Sequence, residues 1–335
     1  MLFVVIIVRV MRNIIVLTFG FLATIAFGQQ EPQFSQYNRN QYLVNPGAAG
    51  AYDFVDITMG GRMQWAGFKN APMTTYLYGS TSLPQKDKAR YYPRTRTRRG
   101  PIHQSKRGVG GFKHAFGGYV FADQYGAFQQ IKFAGTYAIH IPLSQNLNLS
   151  FGIDLGLSNR TFLEDRAQTL NVMTGVGNDA TYAEYSTSVN DYTMDVGAGL
   201  YLYSEDFYFG IAADQLTGDL VRFGLGTVNF DPKMHYRATV GYKFKTNNDV
   251  TITPNALVKY IMSSPISIEG GVQLEFKERF WLAASYRSSK TIIGMVGFNV
   301  NRLFKVGYSF DFSTSEVKNY NVGGHELVLG IMLGR

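Results

Sequence analysis

From Asp53 onward, apolar and polar residues alternate in one segment after another. Leu147, Leu149, Phe151, Ile153, Leu155 and Leu157 interleave with Asn148, Ser150, Gly152, Asp154 and Gly156. Met194, Val196, Ala198 and Leu200 interleave with Thr193, Asp195, Gly197 and Gly199, and Val306, Tyr308, Phe310 and Phe312 with Lys305, Gly307, Ser309 and Asp311. Successive side chains of a strand point to opposite faces, so each segment has one apolar and one polar face. The runs last about ten to twelve residues, twice an ordinary strand of a soluble sandwich and enough for a tilted strand to cross a bilayer. Full charges sit mid-strand on the polar faces, at Asp154, Asp195, Arg237, Glu269 and Lys305. Unpaired in a soluble core, each would cost several kcal/mol; a wet barrel lumen avoids that cost. The pattern predicts an all-β chain, a transmembrane β-barrel of the outer-membrane type.

Candidate strands fall at 54–65, 73–83, 109–122, 126–140, 146–158, 191–203, 206–216, 233–244, 249–261, 265–276, 279–287, 290–300, 302–313 and 324–334. That makes fourteen antiparallel strands, an even number, as single-chain bacterial barrels require. With both termini periplasmic, the periplasmic turns are 142–146, 204–206, 245–248, 277–278 and 301, all short. The outer connections then include 159–190, 217–232 and 314–323, the long ones, which is the usual asymmetry of this architecture. The connection 84–108 breaks the rule, being long on the periplasmic side. It carries Lys86, Lys88, Arg90, Arg94, Arg96, Arg98, Arg99, Lys106 and Arg107 against a single acid, Asp87. Those nine basic residues exceed the whole net charge of +8. The basic balance therefore belongs to one segment, and no aromatic stacking platform surrounds it, so nucleic acid is not an expected partner. Two readings stay open for it: a solvated insertion, or a docking arm for an acidic periplasmic partner or anionic cell-wall polymer.

Composition agrees with the barrel. Of 335 residues, 15% are aromatic, with 22 Tyr and 25 Phe against 2 Trp, and only 17% are charged. The chain has no cysteine, which removes disulfides and thiolate metal sites. At the N-terminus, Arg9 and Arg12 precede an apolar run ending at Ala26-Phe27-Gly28, the form of a secretory signal peptide over residues 1–28. Met11-Arg12-Asn13 already begins a complete signal, so Met11 is a candidate true start. Residues 29–52 then form a periplasmic N-terminal segment and 53–335 a single barrel domain.

Chemistry is sparse. The five histidines have no ligand spacing, and the acidic pairs in 159–190 lack calcium-loop spacing, so neither a metal nor another cofactor is expected. No nucleophile, base and orienting group converge in sequence, and the reading is non-enzymatic. Glycines within strands, among them Gly117, Gly152, Gly197 and Gly307, permit bends and the close approach of a plug or passenger to the wall.

One stretch resists the alternation: QFSQYNRNQYLVNPG, residues 33–47, whose apolar positions follow neither a period of 2 nor one of 3.6. It begins within PQFSQY (32–37) and reaches Asn45-Pro46. Downstream come Gly61-Arg62-Met63-Gln64-Trp65-Ala66-Gly67-Phe68 with Ala71-Pro72, Tyr286-Arg287-Ser288, the run Val306-Gly307-Tyr308-Ser309-Phe310-Asp311, and Gly324-His325-Glu326. In this order, over about 31–334, the chain resembles the PorP/SprF family. Three departures are the polar Asn38-Arg39 after PQFSQY, where hydrophobic residues are usual, a basic connection 84–108 longer than expected between the second and third strands, and a final Arg335 in place of the aromatic that usually ends a barrel. The resemblance implies an outer-membrane component of the type IX secretion system of Bacteroidetes, supporting export or surface anchoring of adhesin-like proteins and gliding motility by binding and scaffolding. Its implied partners are other components of that system in the periplasm and outer membrane, a secreted adhesin-like client, and the lipid bilayer. Candidate partner contacts are Gln33, Phe34, Gln36, Tyr37, Asn45, Pro46, Arg62, Gln64, Trp65, Arg94, Arg96, Arg98 and Arg99. The alternative is a porin-like or ligand-gated channel for small solutes.

Overall fold

The computed structural model describes residues 33–83, 111–167, 182–183, 191–218, 222–223, 233–246, 249–262, 264–315 and 322–334, within the compact unit Pro32–Arg335. The expected signal peptide and the whole basic segment 84–108, with Arg94, Arg96, Arg98 and Arg99, lie outside the described residues.

Sixteen strands form one antiparallel sheet. They are β1 Val55–Met63, β2 Met73–Ser82, β3 Lys113–Tyr125, β4 Phe128–Pro142, β5 Asn148–Phe162, β6 Asp191–Tyr203, β7 Phe207–Asp214, β8 Arg222–Phe223, β9 His235–Tyr242, β10 Phe244–Lys245, β11 Val250–Ile261, β12 Ser267–Phe276, β13 Phe280–Arg287, β14 Thr291–Asn299, β15 Phe304–Ser313 and β16 Gly324–Leu333. Two of these are two-residue strands. β8 pairs with β6 beside the main order, and β10 continues β9 past Lys243 to pair with β11. The other fourteen form the wall, and β16 closes it on β1, with Leu333 opposite Val55 and His325 opposite Met63. The expected closed fourteen-stranded barrel is the observed fold.

The wall has a turn end and a loop end. At the turn end, short connections join β4 to β5, β6 to β7, β12 to β13 and β14 to β15, β1 begins, and β16 ends. The long connections 163–190 and 215–234 lie at the opposite end. The β3–β4 hairpin turns at Gly126, whose φ of +58° suits glycine, and at this end β3 runs to Tyr125 and β5 to Phe162, beyond the expected ends at 122 and 158. The reason is local. Asp123, Gln124, Asn159 and Arg160 stay in the ladder while the apolar alternation that marks a strand in sequence has stopped.

Side chains sort by face as the alternation requires. On β1, Asp56, Thr58 and Arg62 are buried inside, while Ile57, Met59 and Met63 are exposed on the outer face. Outward Leu77, Phe133, Leu157, Ile268 and Leu329 continue an apolar band around the wall. Exposed aromatics edge it at both ends: Tyr242, Phe276 and Phe298 toward the turn end, Tyr236, Tyr260 and Tyr286 toward the loop end. Such girdles mark the two membrane interfaces. Leu329 stands halfway along β16 on the outer face. Leu329→Arg is therefore expected to lower stability by about 2–4 kcal/mol, and Leu333→Arg at the strand end by about 1 kcal/mol or less, read as denaturant unfolding in liposomes. Equal losses at both positions would contradict this placement of the apolar layer.

Candidate functional site

Residues 33–50 fill the lumen. At the loop end, Gln33 Oε1 accepts from Arg287 Nη1 at 2.8 Å; at the turn end, the Ala49 carbonyl accepts from His140 Nε2 at 2.9 Å. A carbonyl can only accept, so Nε2 carries the imidazole proton and Nδ1 accepts from the Tyr203 hydroxyl at 2.9 Å. The segment thus runs the length of the barrel before entering β1. Gln33 and Gly334, where the described chain begins and ends, lie at opposite ends.

Tight turns compact this plug. The N–H groups of Arg39 and Asn40 return to the Gln36 carbonyl, Gln41–Val44 makes one helical turn, and Pro46–Ala48 makes one 3-10 turn. The Asn45 side chain caps the latter by accepting from Gly47 N at 2.8 Å, and Pro46 stands at the first position, where no donor is lost. Because wall surrounds the plug, its apolar and polar residues each meet a local partner, which is why no strand or helix period appears. Tyr37 donates to Asn255 Oδ1 at 2.7 Å and packs with Val44 and Leu257. Tyr42 bonds Thr136 at 2.7 Å and stands edge-on to Tyr78 at 5.6 Å. The unexpected polar pair also finds partners: Asn38 donates to Gln273 at 2.9 Å, and Arg39 pairs with Glu275 at 2.9 Å and lies over Trp281.

Two glycines make room toward the turn end. A Cβ on Gly152 would lie 2.4 Å from the Pro46 carbonyl group, and one on Gly199 would lie 2.0 Å from Asn45 Oδ1. With these faces bare, Asn45 Nδ2 reaches the wall carbonyls of Leu200 and Ile211 at 2.9 and 3.2 Å.

At the loop end, five ionisable side chains from five strands converge around Ser35. Arg62 of β1 pairs with Asp311 of β15 at 2.8 Å and approaches Glu326 of β16 at 3.6 Å. Arg287 of β13 pairs with Glu269 of β12 at 2.8 Å and reaches Asp311 at 3.3 Å. Ser35 completes the group: its N–H donates to Glu326 at 2.6 Å, its hydroxyl donates to Asp311 at 2.7 Å, and Arg62 Nη1 donates to the same hydroxyl oxygen. All these side chains are buried, the charged ones 6% exposed or less. Removing one member of such a set leaves an uncompensated buried charge, a loss of about 3–5 kcal/mol.

The mid-strand charges therefore do not stand in the wet lumen that their spacing suggested. Lys132 pairs with Asp195 at 3.2 Å, Lys305 with Asp56 at 2.8 Å, and Arg237 with Asp214, while Tyr119 donates to Asp154 at 2.8 Å. Pairing offsets their desolvation.

Of the candidate contact residues, Gln33, Phe34, Gln36, Tyr37, Asn45, Pro46 and Arg62 come together as plug and plug anchors. Phe34 packs edge-on against Tyr76 at 5.1 Å, and Gln36 Nε2 donates to the Glu326 carbonyl at 3.4 Å. Gln64 and Trp65 stand apart in the β1–β2 connection, where Gln64 N bonds Pro72 O at 2.9 Å and Trp65 is partly exposed with φ +49°. Sequence reasoning passed over Glu269, Arg287, Asp311 and Glu326 as site residues. Their signal was present, since Arg287, Asp311 and Glu326 each sit in one of the quoted motifs, as do Ser35 and Arg62. Among the described residues no group of His, Cys, Asp or Glu has a metal-holding arrangement.

A closed fourteen-stranded wall with an apolar outer band, aromatic edges and a filled interior defines an outer-membrane β-barrel with an internal plug. Residues 26–331 match the family described as type IX secretion system membrane protein PorP/SprF, and the chain belongs to that family. No curated protein matches the chain in sequence. Among solved structures it is similar to the P. putida toluene transporter TodX, at 9% identity over 86% of this chain and 92% of that one, TM-score 0.45. It is also similar to the translocator domain of the autotransporter NalP from Neisseria meningitidis, at 7% identity over 90% and 95%, TM-score 0.40. Another is the Acinetobacter baumannii outer membrane protein Omp33, at 9% identity over 84% and 98%, TM-score 0.41.

Gly199→Val is expected to push Asn45 and Pro46 off the wall and open an ion path, read as a rise in single-channel conductance in planar bilayers over the near-silent parent. A silent Gly199→Val barrel would mean the plug does not depend on this close approach.

Proposed function

We propose that this chain is an accessory component of the type IX secretion system that supports export or surface anchoring of secreted, adhesin-like proteins, and gliding motility, by binding and scaffolding without catalysis. The filled lumen is the observation that carries this reading beyond family membership. Fourteen strands enclose too narrow a bore for a folded protein in any case, and here the plug and its anchors occupy it. What remains for partners is the two rims.

Short turns commonly face the periplasm and long loops the exterior, which puts the turn end, with the basic segment 84–108, on the periplasmic side. That segment is the contact we assign to an acidic periplasmic component, with Arg94, Arg96, Arg98 and Arg99 at its centre. Gln64 and Trp65, at the loop end, are assigned to the outer partner. Gln33, Phe34, Gln36, Tyr37, Asn45, Pro46 and Arg62 act by holding the plug that both rims enclose.

Deleting the gene should abolish surface display of adhesin-like proteins while leaving small-solute uptake intact; unchanged display with impaired uptake would instead favour the channel reading. Replacing the nine Lys and Arg of 86–107 with Gln or Ser should reduce co-purification of periplasmic components at least fivefold without unfolding the barrel. Normal co-purification and secretion by that variant would remove the assignment of this segment.

A further inference from the structure

The plug has two unlike halves. From Tyr42 to Gly50 it is wedged against the wall, with Asn45 and Pro46 lying on the bare faces of Gly152 and Gly199. From Gln33 to Gln36 it is held mainly by polar contacts of one backbone N–H and of Ser and Gln side chains. Those contacts are one backbone N–H to Glu326, one hydroxyl to Asp311, and amide groups to Arg287 and the Glu326 carbonyl. The ion pairs of the pocket join wall residues to one another. Arg62 with Asp311, and Arg287 with both Glu269 and Asp311, are paired among themselves. Arg62 Nε meets no protein acceptor, so the pocket keeps bonding capacity that residues 33–36 leave unused.

We infer that the pocket of Arg62, Glu269, Arg287, Asp311 and Glu326 is a peptide-binding site at the loop end of the lumen, occupied in cis by Gln33–Gln36 and open in trans to an extended peptide segment of a partner protein. Its chemistry selects the ligand. Three carboxylates against two guanidiniums favour a segment rich in N–H and O–H donors, a Ser or Thr flanked by Gln-like residues, and reject an acidic one. Entry is from the loop end, because Tyr42–Gly50 closes the path from the turn end. A tethered segment acts at an effective concentration of about millimolar, so the resting barrel binds a free peptide weakly until its own latch is displaced.

The test uses the full chain in detergent and a dye-labelled synthetic peptide of residues 29–40, read by fluorescence anisotropy. Ser35→Pro removes both donors from the latch, and this barrel should bind the peptide saturably and at least tenfold more tightly than the parent. Binding should fall at least tenfold when Asp311→Asn is added, or when the peptide carries Pro or Asp in place of its Ser. Folding is checked by heat-dependent electrophoretic migration; Ser35→Ala replaces Ser35→Pro if the latter does not fold, and the altered peptides carry the comparison if Asp311→Asn does not. Absence of saturable binding to the latch-free barrel, or binding indifferent to these changes, overturns the inference. The readout is independent of secretion, so this inference and the secretion role stand or fall separately.

Discussion

A charge inside a protein wall must be paired or hydrated, and in this barrel nearly everything about the interior follows from pairing. Arg62, Glu269, Arg287, Asp311 and Glu326 come from strands that are distant in sequence yet adjacent around the seam, so their network ties β1 to β16 on the inside while the ladder ties them in the wall. Three carboxylates and two guanidiniums do not balance alone. The donors of Ser35, with the Tyr76 hydroxyl on Glu326 at 3.2 Å, supply the remaining partners. Plug and wall are therefore one electrostatic unit at the loop end.

At the other end the logic is steric. Backbone can lie flat on backbone only where side chains are missing, and Gly152 and Gly199 supply that surface on neighbouring strands. Asn45 uses it twice, capping its own turn with an oxygen and holding two wall carbonyls with a nitrogen. Pro46 adds rigidity at a position where a proline costs no hydrogen bond. A polar anchor and a shape-fitted anchor thus hold one short segment by different physics.

The wall was legible in the sequence because a period of two survives wherever one face meets lipid and the other does not. Strand number and most boundaries could be read from it, and it fell short at Asp123–Tyr125 and Asn159–Phe162, where the ladder outlasts the apolar layer. The lumen was less legible. Mid-strand charges such as Asp195 and Lys305 announce a polar interior but not their partners, since pairing joins residues far apart in the chain. The plug was visible only as an exception. An enclosed segment touching wall on all sides has no solvent face, hence no periodicity, and QFSQYNRNQYLVNPG shows that in its plainest form. Asn38-Arg39, odd as a departure from a hydrophobic pattern, becomes ordinary once Gln273, Glu275 and Trp281 stand opposite.

The seam has a bearing on biogenesis. Ser35 bonds Glu326 across a sequence separation of 291 residues, and the strand that carries Glu326 is the last to be made. Contacts of such span carry the largest ordering cost and form late. The first residues of the described chain must therefore wait, unsatisfied, until the final strand arrives, and the enclosing of the plug and the closing of the cylinder become a single event. A chain truncated before β16 would lack both the closing strand and the carboxylate that receives Ser35, giving the cell one checkpoint for two assembly errors.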